Sequence, residues 1–385
     1  MPRRVPLAWL QLSKDRLRLA IATAGVAFAV VLVSMQLGFR EAMYESAVRY
    51  HERLDYDLVM LSPKTPFLGF PESFTRRRLF QALGASEVEA VVPIYIQQAF
   101  WKNPWKHNAR NILVLGFDPS HDVLAIDGVQ RNLERLKQPD VVVFDGAGRP
   151  EFGPVAATVA SHGPITAEVN DRRVTVVDVF QLGTSFGIDG SLVTSDLNFR
   201  RLFPDRLPGL IDLGLIRLRE GLDPAAVGRR LAASVERDVQ ILTRRQYIAR
   251  EVDYWGRTTP IGYVFGFGAL MGLAVGGIIV YQILFADVSE HLAEYATLKA
   301  MGYTNRHLAG LVVREAAILA VLGFVPGLLI ALFLYGVTTE ATRLPLTMTT
   351  ARAVSVLLLT LVMCGASALM ALRKVRSADP AEVFG

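Results

Sequence analysis

The sequence has only one cysteine, Cys364, which excludes an intrachain disulfide. It contains no glycine followed by lysine, so the phosphate-binding loop of P-loop nucleotide-binding proteins is absent. Its only His-Glu pair, His51-Glu52, is followed by Arg53, Leu54 and Asp55 and does not match the zinc motif H-E-x-x-H. We therefore predict no catalytic residue, no metal ligand and no bound cofactor, and an enzyme is the least favoured class.

Four long apolar runs contain no charged residue, and they hold many of the hydrophobic residues that make up 51% of the chain. Each run has about 20 residues or more, enough to cross the ~30 Å hydrocarbon layer of a membrane as a helix. The four predicted spans are residues 19–39, 258–286, 316–339 and 353–372. Because no run contains a histidine or a charged side chain, an ion-coupled transporter is disfavoured.

Basic residues flank both ends of this membrane region. The residues before the first span are Arg3, Arg4, Lys14, Arg16 and Arg18, against one acidic residue, Asp15. Those after the fourth span are Arg373, Lys374 and Arg376. Since positive charge favours the cytoplasmic side, we expect a multi-pass membrane protein with both termini in the cytoplasm. Residues 340–352 would then form a short periplasmic loop, and 373–385 a cytoplasmic tail.

The long segment 40–257 is predicted to be a periplasmic domain. Short runs rich in Val, Ile and aromatic residues alternate in it with helix-forming runs, which indicates a mixed α/β fold. Its two ends, 40–54 and 247–257, are helix-forming and predict two stalks, and 119–169 reads as an inserted subdomain. Basic and acidic residues are equally frequent in the domain, which argues against nucleic-acid binding. The predicted fold class is an α-helical membrane protein with four transmembrane helices plus this large α/β domain inserted between the first two.

Glycine is dense in the second span. The residues with four-residue spacing are Gly262, Gly266, Gly268, Gly272 and Gly276. Small residues at this spacing let two helices approach closely, so we predict transmembrane packing at these positions. The packing partner is either another helix of the chain or a second copy.

Two charged segments lie on the predicted cytoplasmic side. Residues 1–18 combine Trp9 and several leucines with basic residues, which predicts a helix on the inner membrane surface or, alternatively, a plain basic flank. Residues 287–315 separate the second and third spans, and their apolar residues recur at helical spacing while Glu290 and Glu294 point elsewhere. Gly302 is the expected stop of this helix. The segment is either an ordinary solvated loop helix or a lever moved by a partner.

Two short motifs carry a resemblance to a known family. Residues 294–303, E-Y-A-T-L-K-A-M-G-Y, look like the cytoplasmic motif E-[IY]-x-x-[LR]-[KR]-A-[LM]-G of the FtsX/MacB-like permeases of type VII ABC transporters. Residues 379–383, D-P-A-E-V, are similar to that family's D-P-[AV]-E-[AV] ending, and the topology agrees over the whole chain. Within the family, residues 3–32 and 60–67 resemble DevC-type exporters of cyanobacteria.

The resemblance implies a permease of the bacterial inner membrane, of the cyanobacterial type, that transmits the motion of a separate ATP-binding ABC ATPase to its periplasmic domain. It also implies a periplasmic membrane-fusion adaptor, an outer-membrane TolC-like channel, glycolipid or other amphipathic cargo taken from membrane lipid or the periplasm, and pairing of two chains as a homodimer. The ATPase-coupling residues expected from the motifs and the helical pattern are Glu290, Glu294, Tyr295, Leu298, Lys299, Met301, Gly302, Asp379, Pro380 and Glu382.

Two other functions fit the same topology. One is an FtsX-like signalling or scaffold subunit that controls periplasmic cell-wall hydrolases without moving cargo, and the other is a lipoprotein-releasing permease. Pull-down with the periplasmic domain distinguishes export from signalling, because an adaptor and duct support the first and a hydrolase supports the second.

Overall fold

The computed structural model describes residues 15–291, 293–294, 297 and 301–377, and at 305, 307 and 373–377 it describes the main chain alone. The helices are numbered α1 to α11 in chain order. They are Arg16–Arg53, Arg76–Ala82, Asp127–Gln130, Leu133–Leu136, Val155–His162, Asp196–Leu202, Pro224–Ser234, Arg244–Asp253, Pro260–Glu290, Asn305–Thr342 and Thr350–Ser377.

The strands are numbered β1 to β11 in the same way. They are Leu58–Leu61, Phe74–Thr75, Val88–Lys102, Ala109–Phe117, Val141–Asp145, Ile165–Val169, Arg172–Phe180, Ser191–Ser195, Leu210–Ile211, Leu213–Leu218 and Gln240–Thr243.

Two compact units are formed by these elements. We call one the membrane unit, made of the described residues within Met1–Ala42, Ile261–Glu340 and Leu346–Gly385. We call the other the inserted domain, made of Met43–Pro260 and Ala341–Pro345. Four helices, α1, α9, α10 and α11, are long and apolar enough to cross a membrane. The predicted fold class, four such helices with a large mixed α/β domain between the first and second, is confirmed.

The inserted domain is built on one mixed sheet with the strand order β11-β1-β10-β3-β4-β8-β5-β7-β6. Most neighbours are antiparallel, but β4 pairs with β8 and β5 pairs with β7 in parallel. Because side chains alternate between the two faces of a strand, the sheet supports a core on each face. One core contains Trp101, Phe152 and Phe199 and the other contains Phe117 and Tyr247, all of them buried.

The predicted subdomain, 119–169, contributes β5 and β6 to this same sheet. Strand β5 pairs with β7 and β8, and β6 pairs with β7 and with the end of β3. The segment therefore shares its hydrogen-bonding network with the remainder of the inserted domain.

The two predicted stalks differ in structure. Residues 40–53 continue α1, a single helix of 38 residues that is about 57 Å long. The returning stalk consists of α8 and one turn of π-helix, Tyr254–Thr258, and it is separated from α9 by Thr259. Thr259 has extended backbone angles, which is expected of a residue that precedes a proline. The second stalk is thus helical but not continuous with its span.

Glycines position α1 within the membrane unit. A Cβ atom placed on Gly268 would approach Gln36 to 2.5 Å, and one on Gly272 would approach Leu32 to 3.1 Å. Gly276 lies against Ala29, so these three glycines of α9 form a surface for α1. On α10, Gly323 and Gly327 lie against Val26 and Val30 of α1 in the same way. Helix α1 is therefore closely packed against two helices.

Candidate functional site

The predicted lever lies between α9 and α10. Helix α9 continues to Glu290, and the main-chain N–H of Met301 donates to the carbonyl of Thr297 at 3.0 Å, an α-helical bond. Gly302 follows with a φ of 94°, the left-handed conformation in which glycine commonly ends a helix. Helix α10 then begins at Asn305.

Part of the predicted coupling set is described. Glu294, Met301 and Gly302 are exposed, and the Met301 side chain is 63% exposed despite being apolar. Tyr303, next in the chain, is a second large exposed apolar residue. The remaining predicted residues, which lie outside the described part of the chain, are Tyr295, Leu298, Lys299, Asp379, Pro380 and Glu382. The predicted surface helix 1–18 also lies outside it up to residue 14.

Glu290, the last residue of α9, is bound by the first helix of the chain. The Arg18 guanidinium donates to both carboxylate oxygens of Glu290, with Nη1 to Oε2 at 2.8 Å and Nη2 to Oε1 at 2.6 Å. This bidentate arrangement fixes the orientation of both side chains as well as their separation. The end of α9 and the start of α1 are thereby connected over 272 residues of sequence.

A second carboxylate, Asp287, lies one turn before Glu290. Its Oδ1 is 3.9 Å from Arg18 Nη1 and 3.7 Å from His291 Nδ1. The other oxygen of Asp287 has no hydrogen-bond partner among the described residues, and the residue is only 6% exposed. Asp287 is thus a buried acid that Arg18 approaches without a direct hydrogen bond.

A third carboxylate, Glu315, lies on α10 directly before the uncharged run that starts at Ala316. It is 0% exposed, and within the described residues neither of its side-chain oxygens has a hydrogen-bond partner. Its neighbours along the helix, Val312, Ala316 and Leu319, belong to the buried apolar cluster of the membrane unit. Burying an ionisable group without a partner is costly, so Glu315 is an unusual residue for this cluster.

We call Arg18, Asp287, Glu290, His291 and Glu315 the charged cluster. The sequence predicted only Glu290 as a member of a functional site. Arg18 is one of several basic residues that flank the first span, and nothing in the sequence distinguishes it from the others. The signal available in the sequence was that Asp287 and Glu315 are the first and last residues of the predicted lever, directly adjoining two apolar spans.

The glycines that were predicted to pack against another helix differ in what surrounds them. Gly268, Gly272 and Gly276 contact α1, and Gly262 is buried. Gly266 has nothing within 4 Å of the position that a Cβ atom would take. In the described part of the chain, no group of three His, Cys, Asp or Glu residues is arranged to hold a metal ion.

Comparison with protein families gives two matches. Residues 19–234, more than half of the chain, match the MacB-like periplasmic core domain, and residues 266–380 match the FtsX-like permease C-terminal family. No curated protein matches the chain.

Two solved structures are similar to part of the chain. The periplasmic region of MacB from Actinobacillus actinomycetemcomitans is 11% identical, with a TM-score of 0.37, and the match covers 50% of this chain and 91% of that one. The extracellular domain of the noncanonic ABC-type transporter YknZ from Gram-positive bacteria is 12% identical, with a TM-score of 0.34, covering 49% and 99%.

Proposed function

The chain belongs to the FtsX/MacB-like permeases of type VII ABC transporters, and we propose that it is the transmembrane subunit of a tripartite exporter. In this proposal a separate ABC ATPase binds and hydrolyses ATP on the cytoplasmic side, where both termini lie. The inserted domain is periplasmic and works with a membrane-fusion adaptor and a TolC-like outer-membrane channel. Two copies of the chain pair as a homodimer to meet two ATPases, and the cargo is a glycolipid or another amphipathic molecule, as in DevC-type exporters.

The observation that carries this proposal is the ion pair between Arg18 and Glu290. The exposed residues Glu294, Met301 and Gly302 offer a surface for the ATPase, and Glu290 lies at the end of α9 beside it. A displacement of this region pulls on Arg18 through two hydrogen bonds. Since Arg18 lies in the first turn of α1, which continues to Arg53, the pull is delivered to a helix that enters the inserted domain.

The ion pair is suited to transmission rather than to stability. The Glu290 side chain is 59% exposed, and exposed ion pairs contribute little to folding because water screens the two charges. Charge reversal at Glu290 should therefore leave the fold intact. Arg18→Glu also replaces the cation beside the buried Asp287, so its yield and unfolding temperature are compared with those of the unmodified chain before its activity is measured.

We expect the single variants Arg18→Glu and Glu290→Arg to uncouple the chain from its ATPase. With the ATPase subunit reconstituted in lipid nanodiscs, each should lower the stimulation of ATP hydrolysis by the permease about fivefold, the low end of typical coupling energies. The double variant restores an ion pair of reversed polarity and should recover most of the stimulation. Glu294→Lys, on the exposed surface, should also insert normally and lose stimulation.

The matched control is Glu340→Arg, a charge reversal of an exposed residue near the other end of α10. It should leave stimulation unchanged. If the double variant is as defective as the single variants, the ion pair does not transmit the movement. If all variants stimulate normally, the coupling role of this site is wrong.

A further inference from the structure

A large groove lies at one edge of the sheet in the inserted domain. It has a volume of about 1120 Å³ and is lined by residues of β3, by the loop before β2 and by the loops after β6 and α6. Its lining includes Ile96, Gln98 and Phe100 of β3, together with Phe70. The family-level function does not account for this groove.

The groove coincides with a gap in strand pairing along β3. On one edge of this long strand, β4 pairs continuously from Tyr95 to Lys102. On the other edge, β10 pairs only up to Ile94 and β6 pairs only from Trp101 onward. Between Ile94 and Trp101, no strand in the described part of the chain covers that second edge.

Side chains close both ends of this gap. The Asp212 carboxylate accepts a hydrogen bond from the Ile96 N–H at 2.6 Å. The Asn170 side-chain oxygen accepts from the Phe100 N–H at 2.9 Å, and the Asn170 N–H donates to the Phe100 carbonyl at 3.0 Å. Asp212 and Asn170 thus take the positions that a neighbouring strand would otherwise occupy.

Three main-chain groups are left facing the groove. Residues along a strand direct their N–H and C=O groups alternately to its two edges, so Gln98 faces the same way as Ile96 and Phe100. Neither the N–H nor the C=O of Gln98 has a hydrogen-bond partner among the described residues, and neither does the Ile96 C=O. The open edge therefore offers one donor, the Gln98 N–H, and two acceptors, the carbonyl oxygens of Gln98 and Ile96. An antiparallel strand placed beside β3 would carry the complementary groups at the same positions.

The side chains around the gap define the chemistry of a ligand. Phe70 and Phe100 are 66% and 63% exposed and offer apolar surface beside the open edge. Arg206 is paired with Asp212 at 2.7 Å and Lys102 with Glu168 at 3.0 Å, so both groove cations are already neutralised. Two further lining carboxylates, Asp171 and Asp205, are exposed, and no ion pair to either occurs within the described residues. The groove therefore favours a basic ligand over an anionic one.

We propose that this edge binds an extended peptide segment of a protein partner, which pairs with Gln98 as an added β-strand. The peptide residue opposite Gln98 exchanges two hydrogen bonds with it, and a third bond goes to the Ile96 carbonyl. A lysine or arginine beside that residue meets Asp171 or Asp205, and an apolar side chain contacts Phe70 or Phe100. The gap admits only a few residues in the plane of the sheet, so only a short part of the segment pairs with β3.

The test uses the full chain in detergent micelles and a library of short synthetic peptides with a central lysine and randomised flanks. Peptides retained by the chain are resynthesised with an N-methyl group on successive residues. Because N-methylation removes one main-chain donor, methylation at the residue opposite Gln98 should weaken binding about fivefold to tenfold, and so should methylation two positions away, at the residue that donates to the Ile96 carbonyl. Methylation at the residue between them should have much less effect. Hydrogen exchange of the segment containing Gln98 should slow when the peptide is bound.

Charge variants supply the second arm. The double variant Asp171→Asn/Asp205→Asn should lose about tenfold in affinity for the lysine peptides, while the control Glu89→Gln/Glu220→Gln, two exposed acids outside the groove, should bind normally. Both pairs are surface changes that leave the sheet untouched. If no peptide is retained, or if N-methylation has no effect at any position, the proposal is wrong.

The proposal extends beyond ATPase coupling and is independent of it. The binding measurement involves neither the ATPase nor the charged cluster of the membrane unit. Its failure would leave the proposed coupling role unaffected, and failure of the charge-reversal experiment would leave the groove proposal unaffected.

Discussion

Glu315 has an environment that folding alone does not explain. It is buried among Val312, Ala316 and Leu319, and the other acid near it, Asp287, can only repel its ionised form. Buried carboxylates of this kind cost several kcal/mol unless a cation or donor reaches them. Costly ionisable groups beside a membrane region are commonly kept for function, which makes Glu315 a candidate for a contact that forms when the helices around it move in the assembled transporter.

We therefore predict opposite effects of Glu315→Gln on the isolated chain and on the complex. Burial raises the pKa of Glu315 to about 8, so the carboxyl is ionised only in alkaline buffer. Without its ATPase, the variant should be more stable there, with an unfolding temperature higher by a few degrees, since the charge is gone and the shape is kept. With the ATPase, it should lose affinity in co-purification. The same substitution at the exposed residue Glu340 should change neither quantity. A lower unfolding temperature for Glu315→Gln would show that the carboxylate is satisfied in the isolated chain.

Single residues show where sequence reasoning stops. Glu290 could be found because helical spacing separates it from the apolar positions of its own segment. Its partner, Arg18, could not be found in this way, since 272 residues separate the two and no local pattern relates them. The burial of Glu315 was equally out of reach, because its exposure depends on which helices surround α10. Local patterns predict the kind of residue at a site, and packing decides which residues meet there.

At the scale of helices, α1 is held by glycine surfaces on α9 and α10. Because Gly272 and Gly276 have no side chains, the main chains of α1 and α9 can approach closely. The two helices are then held together by many van der Waals contacts. The spacing of small residues in the second span predicted this kind of packing. It could not tell which of these glycines lie against another helix, and the position that a Cβ atom would take on Gly266 has nothing within 4 Å.

Gly276→Val should destabilise the membrane unit, and Gly266→Val should not. The valine at 276 would overlap Ala29 and would place its Cβ 2.8 Å from the Met363 sulfur, an overpacking that typically costs about 1–3 kcal/mol. The intrinsic helix penalty is the same at both positions, so the comparison isolates packing. Thermal unfolding in detergent should show a drop of several degrees for Gly276→Val only. Equal drops would mean that Gly266 also lies against another helix or another copy.

The break between the second stalk and the second span was not predicted from the sequence pattern. Residues 247–257 are helix-forming and 258–286 are apolar, so both segments were assigned correctly as helices. Pro260 was the available signal, because a residue before proline avoids helical angles. The neighbouring π-helical turn at Tyr254–Thr258 had no comparable signature. The presence of a helix can thus be predicted from composition. Whether two helices are continuous depends on single residues such as Pro260.

At the scale of the whole molecule, the two ends of the segment Met43–Pro260 are joined to the membrane unit in mechanically different ways. Helix α1 crosses from the membrane unit into the inserted domain at Ala42 without interruption. The returning connection contains an extended residue, Thr259, immediately before Pro260. A continuous helix can transmit a push, a pull or a rotation along its axis, whereas an extended linker transmits little torque. In the proposed coupling mechanism, movement of Arg18 should therefore reach the inserted domain through α1.

Insertion of the same short Gly-Ser segment at the two connections tests this asymmetry. After Arg40, the insertion interrupts α1, since glycine costs about 1 kcal/mol per residue within a helix, and it should lower ATPase stimulation about fivefold. Between Thr259 and Pro260, the chain already departs from helical geometry, and the insertion should leave stimulation within about twofold. Membrane insertion and yield serve as folding controls for both variants. If the two insertions are equally harmful, both connections carry the movement, and if neither is harmful, the inserted domain is not driven through α1.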